Sequence, residues 1–258
     1  MLTLAWASLV VLAALAAWAW RVRQRTAALE RRLVQASREL EALQQSFARF
    51  APHEVVEDII AQGVSMRSET KEVTVLFADL KGFTSIAERL EPARLVTLLN
   101  GYFEAMGQAI VSHRGHLAKF IGDGLLALFG ALEPNPWQTN DALHAALAMR
   151  SALAAYNARL RAEGLPPLAP GIGIHRGPVV AGVLGNTALM EYGVIGRTVN
   201  LAARVEDLTR VHDTDILVTE SVRAHCDRRF RLRPLPPVEA RGLPAPLATF
   251  AVEAFDGT

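Results

Sequence analysis

Apolar positions recur along this chain with three different periods. From Leu2 to Trp20 there is no charge and almost every residue is Ala, Leu, Val or Trp. That is about the length a helix needs to cross a bilayer core. From Leu29 the apolar positions are Leu29, Leu33, Ala36, Leu40, Leu43, Phe47 and Phe50, alternating steps of four and three. This heptad seam predicts a parallel two-stranded coiled coil over 21–50; a solitary amphipathic helix lying on a membrane is the alternative. Pro52 ends the seam, and Ala51 to Ile60 reads as a short helix with Gly63 as its stop, within a linker segment spanning 51–68.

Beyond residue 69 the period changes again, with β-rich runs alternating with helical spacing. Glu72 to Ala78 predicts a central strand. Pro92 to His113 predicts a helix through Leu95, Leu98, Leu99, Phe103 and Met106, with Pro92 in its first turn. Leu117–Ile121 and Leu125–Phe129 flank Gly122-Asp123-Gly124 and read as a hairpin. Asn140 or Asp141 can cap a helix running to about Arg161. Gly164 to Pro170 is a break. Gly171–His175 and Val179–Val183 read as two strands around Arg176-Gly177-Pro178. Thr198–Thr209 predicts a helix, Ile216–Thr219 a strand, and Phe230–Leu232 with Leu247–Val252 a terminal strand pair. This order suits an α+β domain over 69–258, a mixed sheet covered by helices and compatible with a βαββαβ core. The pattern leaves strand order open.

Composition narrows the class. The 258 residues allow one domain of ordinary size plus appendages. The net charge is +1 with basic residues scattered, which argues against a nucleic-acid partner. The single cysteine, Cys226, excludes an internal disulfide and fits a reducing compartment as a small, partly buried residue. Arg21, Arg23 and Arg25 follow the apolar run 1–20 and no basic residue precedes it. The positive-inside rule then predicts a single-pass anchor in the plasma (inner) membrane, with residues 2–20 against lipid, the amino terminus outside and the rest in the cytoplasm. A cleaved secretory signal is the competing reading, but it normally carries a basic segment before the apolar run.

The candidate chemistry lies in two stretches that end an apolar run with one aspartate in a glycine-rich turn: Val73 to Thr84 around Asp79, and Leu117 to Phe129 around Asp123. A carboxylate closing a buried strand is costly without a partner, and two side by side repel. A divalent cation is their natural partner, and Mg²⁺ or Mn²⁺ is commonly held by one or two carboxylates plus substrate phosphates. Neighbouring glycines let backbone N–H groups approach a phosphate. Either turn alone reads more simply as a structural turn. The third stretch, Tyr192-Gly193-Val194-Ile195-Gly196-Arg197-Thr198-Val199-Asn200-Leu201-Ala202-Ala203-Arg204, shifts the balance. With these three blocks in order, the chain resembles the class III nucleotidyl cyclases, the adenylate and guanylate cyclases, from about Glu69 to Val252.

The resemblance implies a ferredoxin-like, polymerase-palm-like core that dimerises head to tail, with catalytic sites at the interface. It implies that Asp79 and Asp123, with the backbone carbonyl of Leu80, hold two Mg²⁺ or Mn²⁺ ions per site, and that amides around Gly82, Phe83 and Thr84 cradle the terminal phosphates. Arg204 would stabilise charge on the reacting phosphorus, and Asn200, on the same helix face, would orient the ribose. Arg241 stands where the family usually has a lysine on the triphosphate, a change from point charge to fork. Lys119 matches the adenine-reading lysine of adenylate cyclases. The second base-reading position falls on Gly193, a departure from the usual aspartate or threonine that leaves a backbone carbonyl near Val194, or water, to help. Residues 51–68 look like the linker helix of bacterial cyclases. The implied protein is a membrane-anchored homodimer making 3′,5′-cyclic AMP and pyrophosphate from ATP. A guanylate or mixed-specificity cyclase, or a non-catalytic nucleotide-sensing dimerisation module, are the alternatives.

Overall fold

The computed structural model describes residues 20, 23, 34–35, 68–185, 190–239 and 245–257. The chain divides into two compact units, Met1–Ala61 and Gln62–Thr258. In the first, Trp20, Arg23, Val34 and Gln35 are helical and exposed; the rest of the expected anchor, coiled coil and linker helix lies outside the described residues, Ser68 excepted. The expected location in the membrane is overturned, because among the described residues no helix is long and apolar enough to cross one. The physical reason is visible in the longest helices among the described residues, which carry charge within them (Arg94 and Glu104 in one, Asp141, Arg150 and Arg159 in another) and bury only one side.

The second unit is built on β1 (Glu69–Leu80), whose residues from Val73 to Leu80 are buried or half-buried on both sides, as a central strand requires. It is followed by α1 (Phe83–Ala87), α2 (Pro92–Val111), β2 (His116–Ile121), β3 (Gly124–Phe129), α3 (Gln138–Ala162) and β4 (Pro170–Gly185). The four strands lie in the order β2-β3-β1-β4, each antiparallel to its neighbour, with α2 and α3 as the two crossovers. This is the βαββαβ arrangement expected. The chain continues through β5 (Met190–Ile195), α4 (Arg197–Val211), β6 (Ile216–Thr219), α5 (Glu220–Arg223), β7 (Phe230–Pro234) and β8 (Thr249–Phe255). β6 joins β4 in parallel, which makes the sheet mixed, and β8 and β7 complete it.

Alternation along β1 assigns its two faces. Leu76, Ala78 and Leu80 pack with Leu98, Tyr102 and Met106 of α2 and Leu143, Met149 and Leu153 of α3. Val73, Val75 and Phe77 pack on the other face with Leu126, Leu128, Val179 and Ala202. Asp79 shares the parity of that second face, the one that α4 covers.

Several elements differ from expectation. β4 is unbroken through Pro178, where the sequence predicts two strands. The Pro178 carbonyl accepts from Thr198 Oγ1 at 2.6 Å, away from β1, and β6 and β5 pair with β4 only at residues 172–174 and 180–185. Pro178 falls in the gap, so its missing N–H breaks no ladder bond. β5, α1 and α5 are additional elements, and α3 begins at Gln138, with Asn135 Oδ1 accepting from the Trp137 N–H at 2.9 Å.

Candidate active site

β1 ends with Asp79 opposite Gly171 of β4. Beyond Leu80 the chain turns: the Lys81 N–H donates to the Ala169 carbonyl at 2.8 Å, and Gly82 takes a left-handed φ of 69° before α1. Phe83 is sunk in the core while Gly82 and Thr84 stay exposed, so the turn is pinned from below and open above. The Lys81 ammonium donates to the carbonyls of Thr214 (2.7 Å) and Thr209 (3.2 Å), a cation closing the carboxyl end of α4.

Asp123 reaches the same place from the β2–β3 turn, where Gly122 adopts a φ of 62° at the first turn position. Gly124 makes the approach possible: a side chain there would meet the Ala78 carbonyl at 3.0 Å and Asp79 Oδ1 at 3.2 Å. The two predicted carboxylates are therefore brought together. Partial burial and then the neighbouring Asp79 charge raise the Asp123 carboxyl above its ordinary range. That is the electrostatic condition a cation relieves. Among the described residues no group of three or more His, Cys, Asp and Glu could hold a metal. Two carboxylates and a carbonyl nevertheless fit a hard divalent ion that takes its remaining ligands from phosphates.

Four residues that sequence reasoning did not single out complete this end of the sheet. Arg210 Nη2 bonds Asp79 Oδ2 at 2.7 Å, and its Nη1 bonds Glu206 at 3.1 and 3.3 Å. Glu206 is buried under β4, where Gly171 has no side chain to obstruct its Oε1, and burial pushes its carboxyl up to about 7 against the pull of Arg210. Tyr102 presents a fully buried hydroxyl without a partner among the described residues, its phenol raised by burial and by Asp79, Asp123 and Glu206. Lys81, described above, is the fourth. One signal was available for Glu206: it occupies the buried stripe of α4 with Ala202, Val205 and Thr209, where the period asks for an apolar residue.

The remaining predicted residues form a second group. β5 folds over the sheet so that Tyr192 and Val194 pack with Ala118, Leu126, Leu128 and Val199, and Tyr192 Oη donates to the Ala131 carbonyl at 2.9 Å. Lys119, next to Ala118 at a bulge in β2, and Gly193, opposite Gly182, therefore flank one packed patch. Asn200 is exposed and Arg204 half-buried on the adjoining half of α4, and among the described residues no ion pair holds Arg204. At a rise of 1.5 Å per residue, Arg204 and Asn200 stand roughly 9 and 15 Å along α4 from the arginine that grips Asp79. Arg241 lies outside the described residues.

A family model for the adenylate and guanylate cyclase catalytic domain matches residues 65–254, and the chain belongs to this family. An adenylate cyclase of Anabaena cylindrica is 38% identical over 220 residues, 81% of this chain and 43% of that one. Adenylate cyclase 1 of Rhizobium meliloti (strain 1021) is 32% identical over 209 residues, 80% of this chain and 31% of its own. The chain thus spans less than half the length of these relatives. Among solved structures, the adenylyl cyclase CyaB from P. aeruginosa superposes with a TM-score of 0.69 at 28% identity, over 73% of this chain and 96% of that one. The guanylyl cyclase Cya2 superposes with a TM-score of 0.68 at 34% identity, over 74% and 95%. The second unit has the fold of a cyclase catalytic domain.

Proposed function

We propose that the chain converts ATP to 3′,5′-cyclic AMP and pyrophosphate as a homodimer. The observation that carries this reading is the meeting of Asp79 and Asp123 beside an open glycine turn, with the Asp123 carboxyl raised by partial burial and then by its neighbour. Asp79, Asp123 and the Leu80 carbonyl would hold two Mg²⁺ or Mn²⁺ ions. Bound there, the ions supply Lewis-acid polarisation of the α-phosphate and a lowered pKa for the ribose 3′-hydroxyl. Amides at Gly82, Phe83 and Thr84 orient the terminal phosphates, and Arg241 meets the triphosphate. Asn200 sets the ribose so that the 3′-oxygen faces the α-phosphorus, and Arg204 stabilises charge gathering on that phosphorus. The 3′-hydroxyl gives its proton to solvent water, and the new O–P bond forms as the bond to the bridging oxygen breaks and pyrophosphate leaves. Lys119 donates to adenine N1.

The two groups of residues stand at different ends of α4, which supports a site shared between two chains, each lending Asp79 and Asp123 to one site and Lys119, Asn200 and Arg204 to the other. A second reading, guanylate or mixed specificity, is favoured by one observation: position 193 is a buried glycine, with Leu184 Cδ1 at 3.1 Å from where a side chain would begin. The test is product formation from ATP and from GTP in parallel, each with Mg²⁺ and with Mn²⁺. Cyclic AMP is the expected main product. Faster turnover of GTP overturns the adenylate assignment, and no cyclic nucleotide under any condition overturns the catalytic one.

A further inference from the structure

The carboxyl end of α4 puts a cation against the carboxylate that is to receive one. Arg210 bridges two acids with separate nitrogens: Nη1 is held by Glu206, and Nη2 reaches Asp79 Oδ2 at 2.7 Å. Asp207 Oδ1 lies 3.7 Å from Nη1. The two sides of this bridge differ in burial. Glu206 is 7% exposed, whereas Asp79 and Arg210 are 35% and 39% exposed. Glu206 in turn is fixed by the packing of α4 on β4, because Gly173 lets the helix backbone approach the strand directly and Gly171 leaves room for the Glu206 carboxyl. The guanidinium therefore has a buried tether on one nitrogen and a solvent-facing grip on the other, and can release Asp79 while remaining attached to Glu206. Such an arrangement offers Asp79 a counter-charge that a stronger one can replace at the loss of a single exposed bond.

We propose that Arg210 is a positioning residue that competes with divalent cations for Asp79 Oδ2, setting the cation concentration at which the site fills and holding the aspartate in line until it does. The inference rests on Asp79 being a cation ligand. The role differs from that of Arg204: Arg210 acts on the carboxylate and need not touch substrate.

The test is direct binding of Mn²⁺ to the full chain without nucleotide, read from the electron paramagnetic resonance signal of free Mn²⁺. Arg210→Met and Arg210→Gln should each lower the Kd roughly two- to fivefold, the worth of one exposed ion pair, while Arg210→Lys should stay close to the unmodified chain. Asp79→Asn should weaken binding strongly. Wild-type affinity in Asp79→Asn would overturn the ligand reading itself. Wild-type or weaker affinity in both neutral variants, with Asp79→Asn impaired, would overturn the role of Arg210 alone. A measurement on the unmodified chain needs no variant to fold differently: Mg²⁺ titration should move the Arg210 Nε–H resonance, assigned by its disappearance in Arg210→Lys, with the midpoint of binding. A resonance that does not move overturns the competition.

Discussion

In the proposed site a single glycine would set how sharply adenine is told from guanine. Gly193 lies buried on β5 and carries no side chain to accept the exocyclic amine of adenine, so under the proposed function base choice would fall mainly on Lys119. One hydrogen bond to a charged group contributes about 1.5–3 kcal/mol, so ATP should be preferred by only about one to two powers of ten. Gly193→Asp would restore an acceptor, but its Cβ would press on Leu184 Cδ1 at 3.1 Å. That atom ends a flexible side chain and can give by a few tenths of an ångström. Gly193→Asp should therefore raise the ATP-to-GTP ratio of kcat/KM modestly, and the pair Gly193→Asp with Leu184→Ala should raise it further. An unchanged ratio in both would remove position 193 from the base pocket. At the same scale, Asp79 and Asp123 were legible because a carboxylate closing an apolar strand inside a glycine turn departs from any packing pattern. Arg210 was not, because what makes it matter is a contact with Asp79 spanning 131 residues of sequence, and Glu206 showed only as a charge in the buried stripe of a helix.

Among the elements, β4 connects most of the domain, and its chemistry is testable through His175. The ring Nδ1 meets Thr219 Oγ1 at 2.8 Å and Ser221 Oγ at 3.1 Å, tying β4 to the junction of β6 and α5. Burial depresses the folded pKa to about 4, below the ordinary 6.5. The unfolded chain then binds the proton more tightly, so the neutral ring contributes stability that is complete above pH 6.5 and is lost as pH falls from 6.5 toward 4. His175→Asn should melt lower at pH 7.5 yet lose less stability than the unmodified chain over that interval, as thermal melts across pH would reveal. Equal slopes would show that protonation of His175 does not govern acid sensitivity. Strands such as β1 and β3 were legible because they keep apolar runs long enough to read. β5 was not: Met190 to Ile195 includes a glycine and a glutamate, and its extended form comes from pairing along the far half of β4. The five residues of α1 and the four of α5 are too short to display a helical period.

For the whole molecule, the central question is whether one chain can build a site. α4 carries residues of both groups: its carboxyl end grips Asp79 through Arg210, and Arg204 and Asn200 lie roughly 9 and 15 Å away along the axis. Those distances are long for side chains that, under the proposed function, would act on the same α-phosphate as ions held by Asp79 and Asp123. A second copy related by a two-fold axis removes the difficulty, since each chain's second group can face the other chain's aspartates. Asp79→Ala and Arg204→Ala should each be inactive as homodimers. Mixed in equal amounts and allowed to exchange, half of the dimers pair one variant with the other, and each such dimer keeps one intact site of two, so activity should return to about a quarter of the unmodified level. Exchange is verified independently by co-purification of differently tagged chains. Full exchange without recovered activity would place Asp79 and Arg204 in the same site of one chain, and the function of α4 would then have to be sought within the protomer.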